Sequence, residues 1–147
     1  MWETGFLAQV LHLIYRISHR TGNQLVIQKT IRRTLLAGYL LLVVVSTLAP
    51  LSVDMYRPFS GFDKLVHFGL FAGVATLLYW NLNSVRRPNP WISVSFATGL
   101  AAAIELVQSV LTYRSGDLWD FVAGALGAVA GATLALGAAS LGQRIPG

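Results

Sequence analysis

Apolar residues along this chain collect into four long runs, and strongly polar residues gather in the gaps between them. A helix rises ~1.5 Å per residue, so crossing a hydrocarbon core of ~30 Å takes roughly 20 residues. Thr34–Val53, Asp63–Leu82, Trp91–Thr112 and Leu118–Leu141 all have about that length and few interior charges. They predict an all-α membrane protein built as a four-transmembrane-helix bundle. Pro50 stands near the end of the first run, where a missing backbone donor does least harm. Tyr79 and Trp80 close the second run at the depth of an aromatic belt. The turn Arg86-Arg87-Pro88-Asn89-Pro90 then leads into the third.

Ahead of these runs the pattern changes. Phe6, Leu7, Val10, Leu13, Ile14 and Ile17 recur at helical spacing, with Gln9, His12, Arg16, His19 and Arg20 on the opposite side. That arrangement predicts an N-terminal amphipathic interfacial helix lying along the membrane surface. Glu3, Gln9 and His12 do not suit a cleaved signal peptide. The chain therefore divides into an interfacial segment at residues 1–30, a transmembrane domain at 31–142 and a short tail at 143–147. Arg16, Arg20, Lys29, Arg32, Arg33, Arg86, Arg87 and Arg144 fall on one side of the spans, against Arg57, Lys64 and Arg114 on the other. The positive-inside rule then places both termini in the cytoplasm. In a bacterium this is a multi-pass protein of the inner (cytoplasmic) membrane.

Composition agrees, since 54% hydrophobic and 12% charged residues are too apolar for a soluble domain of 147 residues. The absence of cysteine excludes a disulfide framework, a thiolate metal site and a thiol nucleophile. A net charge of +5 would suit nucleic acid, but the basic residues flank apolar runs without interleaved aromatics. Anchoring to anionic membrane lipids accounts for them, and no nucleic-acid partner is expected. No phosphate-cradling glycine loop and no Ser-His-Asp arrangement is present, and no cofactor is implied.

Five of the six acidic residues, Asp54, Asp63, Glu105, Asp117 and Asp120, fall toward the face opposite the basic side. At the head of the second run Asp63 and His67 are four residues apart and Lys64 and His67 three apart, so these side chains share a helix face. Glu105 and Gln108 are likewise three apart, with Glu105 about 10 Å below the outer end of its helix. Arg114 stands on the short outer loop, and Asp117 and Asp120 are one turn apart at the head of the fourth run. Helix capping and dipole complementation are the simpler account of Asp117 taken alone, and a packed interfacial histidine that of His67. Glu105 changes the balance. An acidic side chain inside a span costs about 2.5–3.5 kcal/mol to insert, and such residues face a bundle interior and mark function or polar pairing. His67, Glu105 and Asp120 are therefore the candidate catalytic set, and Asp63, Lys64, Gln108, Arg114 and Asp117 the candidate substrate-binding set. Gly124, Gly127 and Gly131 form a small-residue strip suited to close helix packing.

The runs Asp63-Lys64-Leu65-Val66-His67-Phe68 and Glu105-Leu106-Val107-Gln108, then Arg114 through Asp117 to Asp120 and on to Gly127 and Gly131, resemble the VanZ-like family of small bacterial membrane proteins. The resemblance covers roughly Leu35 to Leu136 and implies a polytopic membrane protein of the cell envelope. The founding member is associated with low-level resistance to the glycopeptide teicoplanin. Gly124 stands where that family often has Asn, which removes one polar group from the implied site.

Three classes of function fit these residues. One is an outward-facing polar pocket that binds, and acts on, an anionic lipid-linked or envelope molecule, with Lys64 and Arg114 gripping negative charge and His67 and Glu105 moving a proton. The second is a non-catalytic protein whose polar cluster fixes helix packing while the glycine strip recruits a partner protein or a second copy. The third, a metal site from His67, Glu105, Asp117 and Asp120, has little support in the spacing, because the cluster holds one histidine and no HxxxH or HExxH pattern. The first is the preferred expectation, with no metal assigned.

Overall fold

In the computed structural model the described residues are 3–49, 59–82, 89–112 and 116–142, with side chains described from Asn23 to Leu141. Four helices make up this part of the chain: α1 (Glu3–Leu48), α2 (Phe62–Leu82), α3 (Pro90–Val110) and α4 (Leu118–Gly142). All four contain a stretch long and apolar enough to cross a membrane, at Asn23–Leu48, Phe62–Leu82, Pro90–Val110 and Leu118–Leu141. The expected all-α four-helix architecture is therefore what the chain forms, with the second, third and fourth spans ending within two residues of their predicted limits.

In the N-terminal third the helix runs on without a break. The interfacial segment and the first span form one uninterrupted helix of 46 residues. The first proline of the chain is Pro50, so nothing stops the helix between Glu3 and Leu48. At ~1.5 Å per residue such a helix reaches about 69 Å, well over twice a ~30 Å hydrocarbon core, so its N-terminal part projects beyond the apolar stretch. The first span also ends five residues earlier than predicted, at Leu48, because the residue preceding a proline is pushed out of helical geometry.

The other helix ends are set by local chemistry. Gly61, at φ +91°, takes a left-handed turn that only glycine adopts without strain, and its carbonyl accepts the Leu65 N–H at 3.3 Å to open α2. Asn89 caps α3 by accepting the Trp91 N–H at 3.0 Å, with Pro90 in the first-turn position that tolerates it. Asp117 caps α4 in the same way, its Oδ1 accepting the Trp119 N–H at 2.9 Å.

α4 lies against both α2 and α3, and α1 packs on α2 and, more lightly, on α3. Between them Val43, Phe71, Val74, Ala75, Ala97, Ala101, Ile104, Ala128 and Ala132 form the core. The α2–α4 contact is backbone-tight. A Cβ built at Gly127 would run into the Phe68 carbonyl, and one at Gly131 into the Ala72 carbonyl. Thr76 Oγ1 reinforces the same seam by donating to the Gly131 carbonyl at 3.0 Å. Gly124 faces the Phe71 ring and the Ala101 methyl instead, at a point where an asparagine would have to displace both. The glycine strip is thus occupied by helices of its own chain. Tyr79 also departs from expectation: it is buried in the core, and Trp80 alone of the pair is exposed, since neighbouring helix positions point about 100° apart.

Candidate functional site

The head of α2, the end of α3 and the head of α4 lie together at one end of the bundle, opposite the end where the Arg32 guanidinium stacks over Trp80 and donates to its carbonyl. Asp63, Lys64 and His67 come from α2, Glu105 from α3, and Asp117 and Asp120 from the start of α4. Lys64 is the outer hub. Its Nζ donates to Asp117 Oδ2 at 2.7 Å and Asp120 Oδ1 at 3.1 Å, and reaches Asp63 Oδ2 at 3.4 Å.

Below this hub lies a more deeply buried layer. The side chains of His67, Glu105 and Asp120 are 6%, 12% and 11% exposed, whereas those of Lys64, Asp63 and Asp117 are about a third exposed. The His67 imidazole sits between two carboxylates, with Nδ1 3.7 Å from Glu105 Oε1 and Nε2 4.0 Å from Asp120 Oδ2. Glu105 Oε2, on its other side, accepts the Asp117 backbone N–H at 2.9 Å. The contacts close a circuit that runs from Lys64 to Asp120, His67, Glu105, Asp117 and back to Lys64.

The circuit is not uniformly tight. The links through Lys64 and the Asp117 N–H are hydrogen bonds, but both links through His67 exceed hydrogen-bond length. His67 Nδ1 and Glu105 Oε1 are buried with no hydrogen-bond partner among the described residues. Buried polar atoms are ordinarily satisfied, because stripping them of water without replacement costs about 1–3 kcal/mol each. Charge is uneven as well: four carboxylates face one ammonium, so the described cluster is net negative whether or not His67 carries a proton. Asp117, at the rim, is held below its ordinary carboxylate value by the Lys64 ammonium and secondarily by the Trp119 N–H.

Six of the predicted site residues, Asp63, Lys64, His67, Glu105, Asp117 and Asp120, are thus gathered in one place. Gln108 is engaged elsewhere, fully buried, with its Nε2 donating to the Thr47 carbonyl of α1 at 2.7 Å. Arg114, Asp54 and Arg57 lie outside the described residues. Two partners of the predicted site residues are not evident from the sequence. Thr47, in the last turn of α1, offers a carbonyl that no later residue of its helix can satisfy, and Gln108 caps it. Phe71 walls the imidazole at a ring separation of 6.0 Å. Its position four residues after His67 is the signal that points to it.

Residues 5–139 match the family model described as VanZ/LLP1, a stretch that contains every member of this cluster. The chain belongs to the VanZ/LLP1 family. The match begins at residue 5, within α1. An uncharacterised protein of Schizosaccharomyces pombe is 32% identical over 99 residues, which cover 66% of this chain and 59% of that protein. The match therefore spans less than two thirds of the yeast relative's length. No solved structure matches.

Proposed function

We propose that this VanZ/LLP1 membrane protein binds the polar, anionic head group of a lipid-linked or cell-envelope molecule at the cluster end of its bundle, and moves a proton there through His67 and Glu105. The supporting observation is the buried imidazole between two carboxylates, with Nδ1 and the facing Glu105 oxygen both lacking a hydrogen-bond partner among the described residues. A group poised in this way takes or gives a proton once a hydroxyl or phosphate oxygen enters its reach. Asp120 stands 4.0 Å from the other ring nitrogen, and Lys64 fixes Asp120 and Asp117. Arg114 stands three residues before Asp117 in the sequence, and a guanidinium suits a phosphate.

The site lies at the non-cytoplasmic face of the bacterial inner membrane in this reading, with both termini inside. Lys29, Arg32 and Arg33, grouped on α1 away from the cluster, support that orientation. The chain has no native cysteine, so single replacements report topology directly. Ser60→Cys is expected to react with a membrane-impermeant maleimide in intact cells while Gln143→Cys reacts only after lysis, and the reverse pattern rejects the orientation.

The function itself is tested by native mass spectrometry of purified protein. A co-purifying anionic lipid species is expected in the wild type and is expected to fall at least about tenfold in Glu105→Gln and Arg114→Ala, at equal yields of folded protein. Equal retention in all three proteins rejects the reading. A purely structural cluster, the alternative account, predicts that equality. Its second element, a glycine strip that recruits a partner, is less favoured because Gly127 and Gly131 already pack on α2.

A further inference from the structure

An anionic head group must approach a cluster that is itself net negative, with Lys64 already engaged by three carboxylates. We propose that His67, Glu105 and Asp120 hold a divalent metal ion, and that this ion is what draws the anionic group into the site. The inference rests on the same site as the proposed function but makes a separate claim about what occupies it.

Three observations converge. The ligand-type atoms of His67, Glu105 and Asp120 all lie within 4.8 Å of one another, although they come from three different helices. Donors bound at ~2.0–2.2 Å around one tetrahedral ion sit about 3.4 Å apart, so the 3.7 Å between His67 Nδ1 and Glu105 Oε1 requires a shift of only a few tenths of an ångström. The second observation is independent of the clustering. The His67 side chain is 94% buried by its 6% exposure, yet among the described residues Nδ1 has no hydrogen-bond partner and points at Glu105 Oε1, which has none either. An ion seated between these two atoms satisfies both at once. The third is the charge balance, since a dication offsets two of the three negative charges that one ammonium leaves uncompensated among the described residues.

The remaining geometry fits a ligand shell and its support. Asp120 brings a carboxylate oxygen within 4.8 Å of the donor atoms of both His67 and Glu105, and its Oδ1 is fixed by Lys64 at 3.1 Å. Glu105 is oriented in the same manner, with Oε2 held by the Asp117 N–H and Oε1 turned toward the imidazole. Outer contacts of this type orient metal-binding side chains and set their basicity. One imidazole with two carboxylates suits a first-row ion such as Mn²⁺ or Zn²⁺ better than Ca²⁺, whose preferred shell is oxygen alone. Three protein donors leave coordination positions for an oxygen of the anionic group.

Full-length protein in detergent, stripped with a chelator and titrated with Mn²⁺ and separately with Zn²⁺, decides the matter by calorimetry and, for Mn²⁺, by electron paramagnetic resonance. The expected result is one ion per chain and a higher Tm with metal. Glu105→Gln and His67→Ala should each weaken binding by about 100-fold or more, a loss at or above the 10–100-fold seen for outer contacts. The double variant His12→Ala/His19→Ala, which removes the other two histidines, should bind as the wild type does. Absence of a stoichiometric ion from the wild type overturns the proposal, and so does loss of binding in the double variant alone. If His67→Ala fails to fold, a wild-type metal spectrum without an imidazole nitrogen ligand overturns it equally. Lipid retained by protein that binds no metal sinks this inference and leaves the proposed function standing, whereas metal bound with no lipid retained does the opposite.

Discussion

The middle of the bundle and its cluster end follow opposite rules. In the middle, α4 meets α2 at Gly127 and Gly131 so closely that a methyl group would strike backbone carbonyls, and the neighbouring core is Val, Ala, Ile and Phe. At the end, six ionisable side chains stand within a few ångströms, yet the two contacts through His67 are left at 3.7 and 4.0 Å. Membrane helices gain no hydrophobic advantage by leaving lipid for one another, so their association relies on close packing. The tight seam supplies that packing without using any charged group. It thereby holds α2 and α4 at a fixed separation, and the polar residues within two turns above can remain incompletely paired. A polar cluster that had to hold the bundle together would close its own contacts first.

The largest expected effect comes from forcing the seam open. Gly127→Leu places a branched side chain against the Phe68 carbonyl, which cannot move aside as a flexible side chain can. Overpacking ordinarily costs about 1–3 kcal/mol, and with backbone as the obstacle the upper end or beyond is expected, seen as loss of monodisperse protein in detergent. Gly137→Leu lies on the same helix, at a position where an added Cβ would meet no neighbouring helix within 4 Å, and should stay within about 0.5 kcal/mol of the wild type. Equal tolerance of the two changes would show that the seam is no tighter than the lipid-facing surface, and the contrast between the two regions would fail.

The two regions also differ in how far they can be read from sequence. The spans are legible because hydropathy and length are direct consequences of the bilayer, and α2, α3 and α4 start and end where Asp63, Asn89-Pro90 and Asp117 suggest. The meeting of Asp63, Lys64, His67, Glu105, Asp117 and Asp120 is legible from depth alone, since each lies near the same end of its helix. Partners are harder. Gln108 reads as a site residue because it follows Glu105 by one turn, but its amide pairs with the Thr47 carbonyl, and backbone acceptors leave no mark on a residue pattern. The continuity of α1 is hidden for a related reason: amphipathic and fully apolar stretches look like separate elements, although no residue between them breaks the helix. The metal reading has little support in the spacing because its donors come from three helices, and proximity between helices is a tertiary fact.

The smallest expected effect lies at the rim of the cluster and tests whether its outer layer is structurally tight where the inner one is loose. The Lys64 ammonium, at 2.7 Å, and the Trp119 N–H hold the Asp117 carboxyl below its ordinary value. A carboxylate whose folded value is depressed adds stability above the unfolded value of about 3.9, and that contribution disappears as pH falls through the lower folded value. Asp117→Asn removes the titrating charge and the contact to Lys64 with little change of shape. The Tm difference between wild type and variant should therefore be constant from about pH 5 to 8 and shrink as the solution is acidified further. The difference should be small, because the Asp117 side chain is 39% exposed and water and salt screen its pairing. A difference that widens in acid would mean the carboxyl is destabilised by the surrounding carboxylates more than Lys64 stabilises it. The outer layer would then be as incompletely compensated as the inner one, and the hub at Lys64 would not separate them.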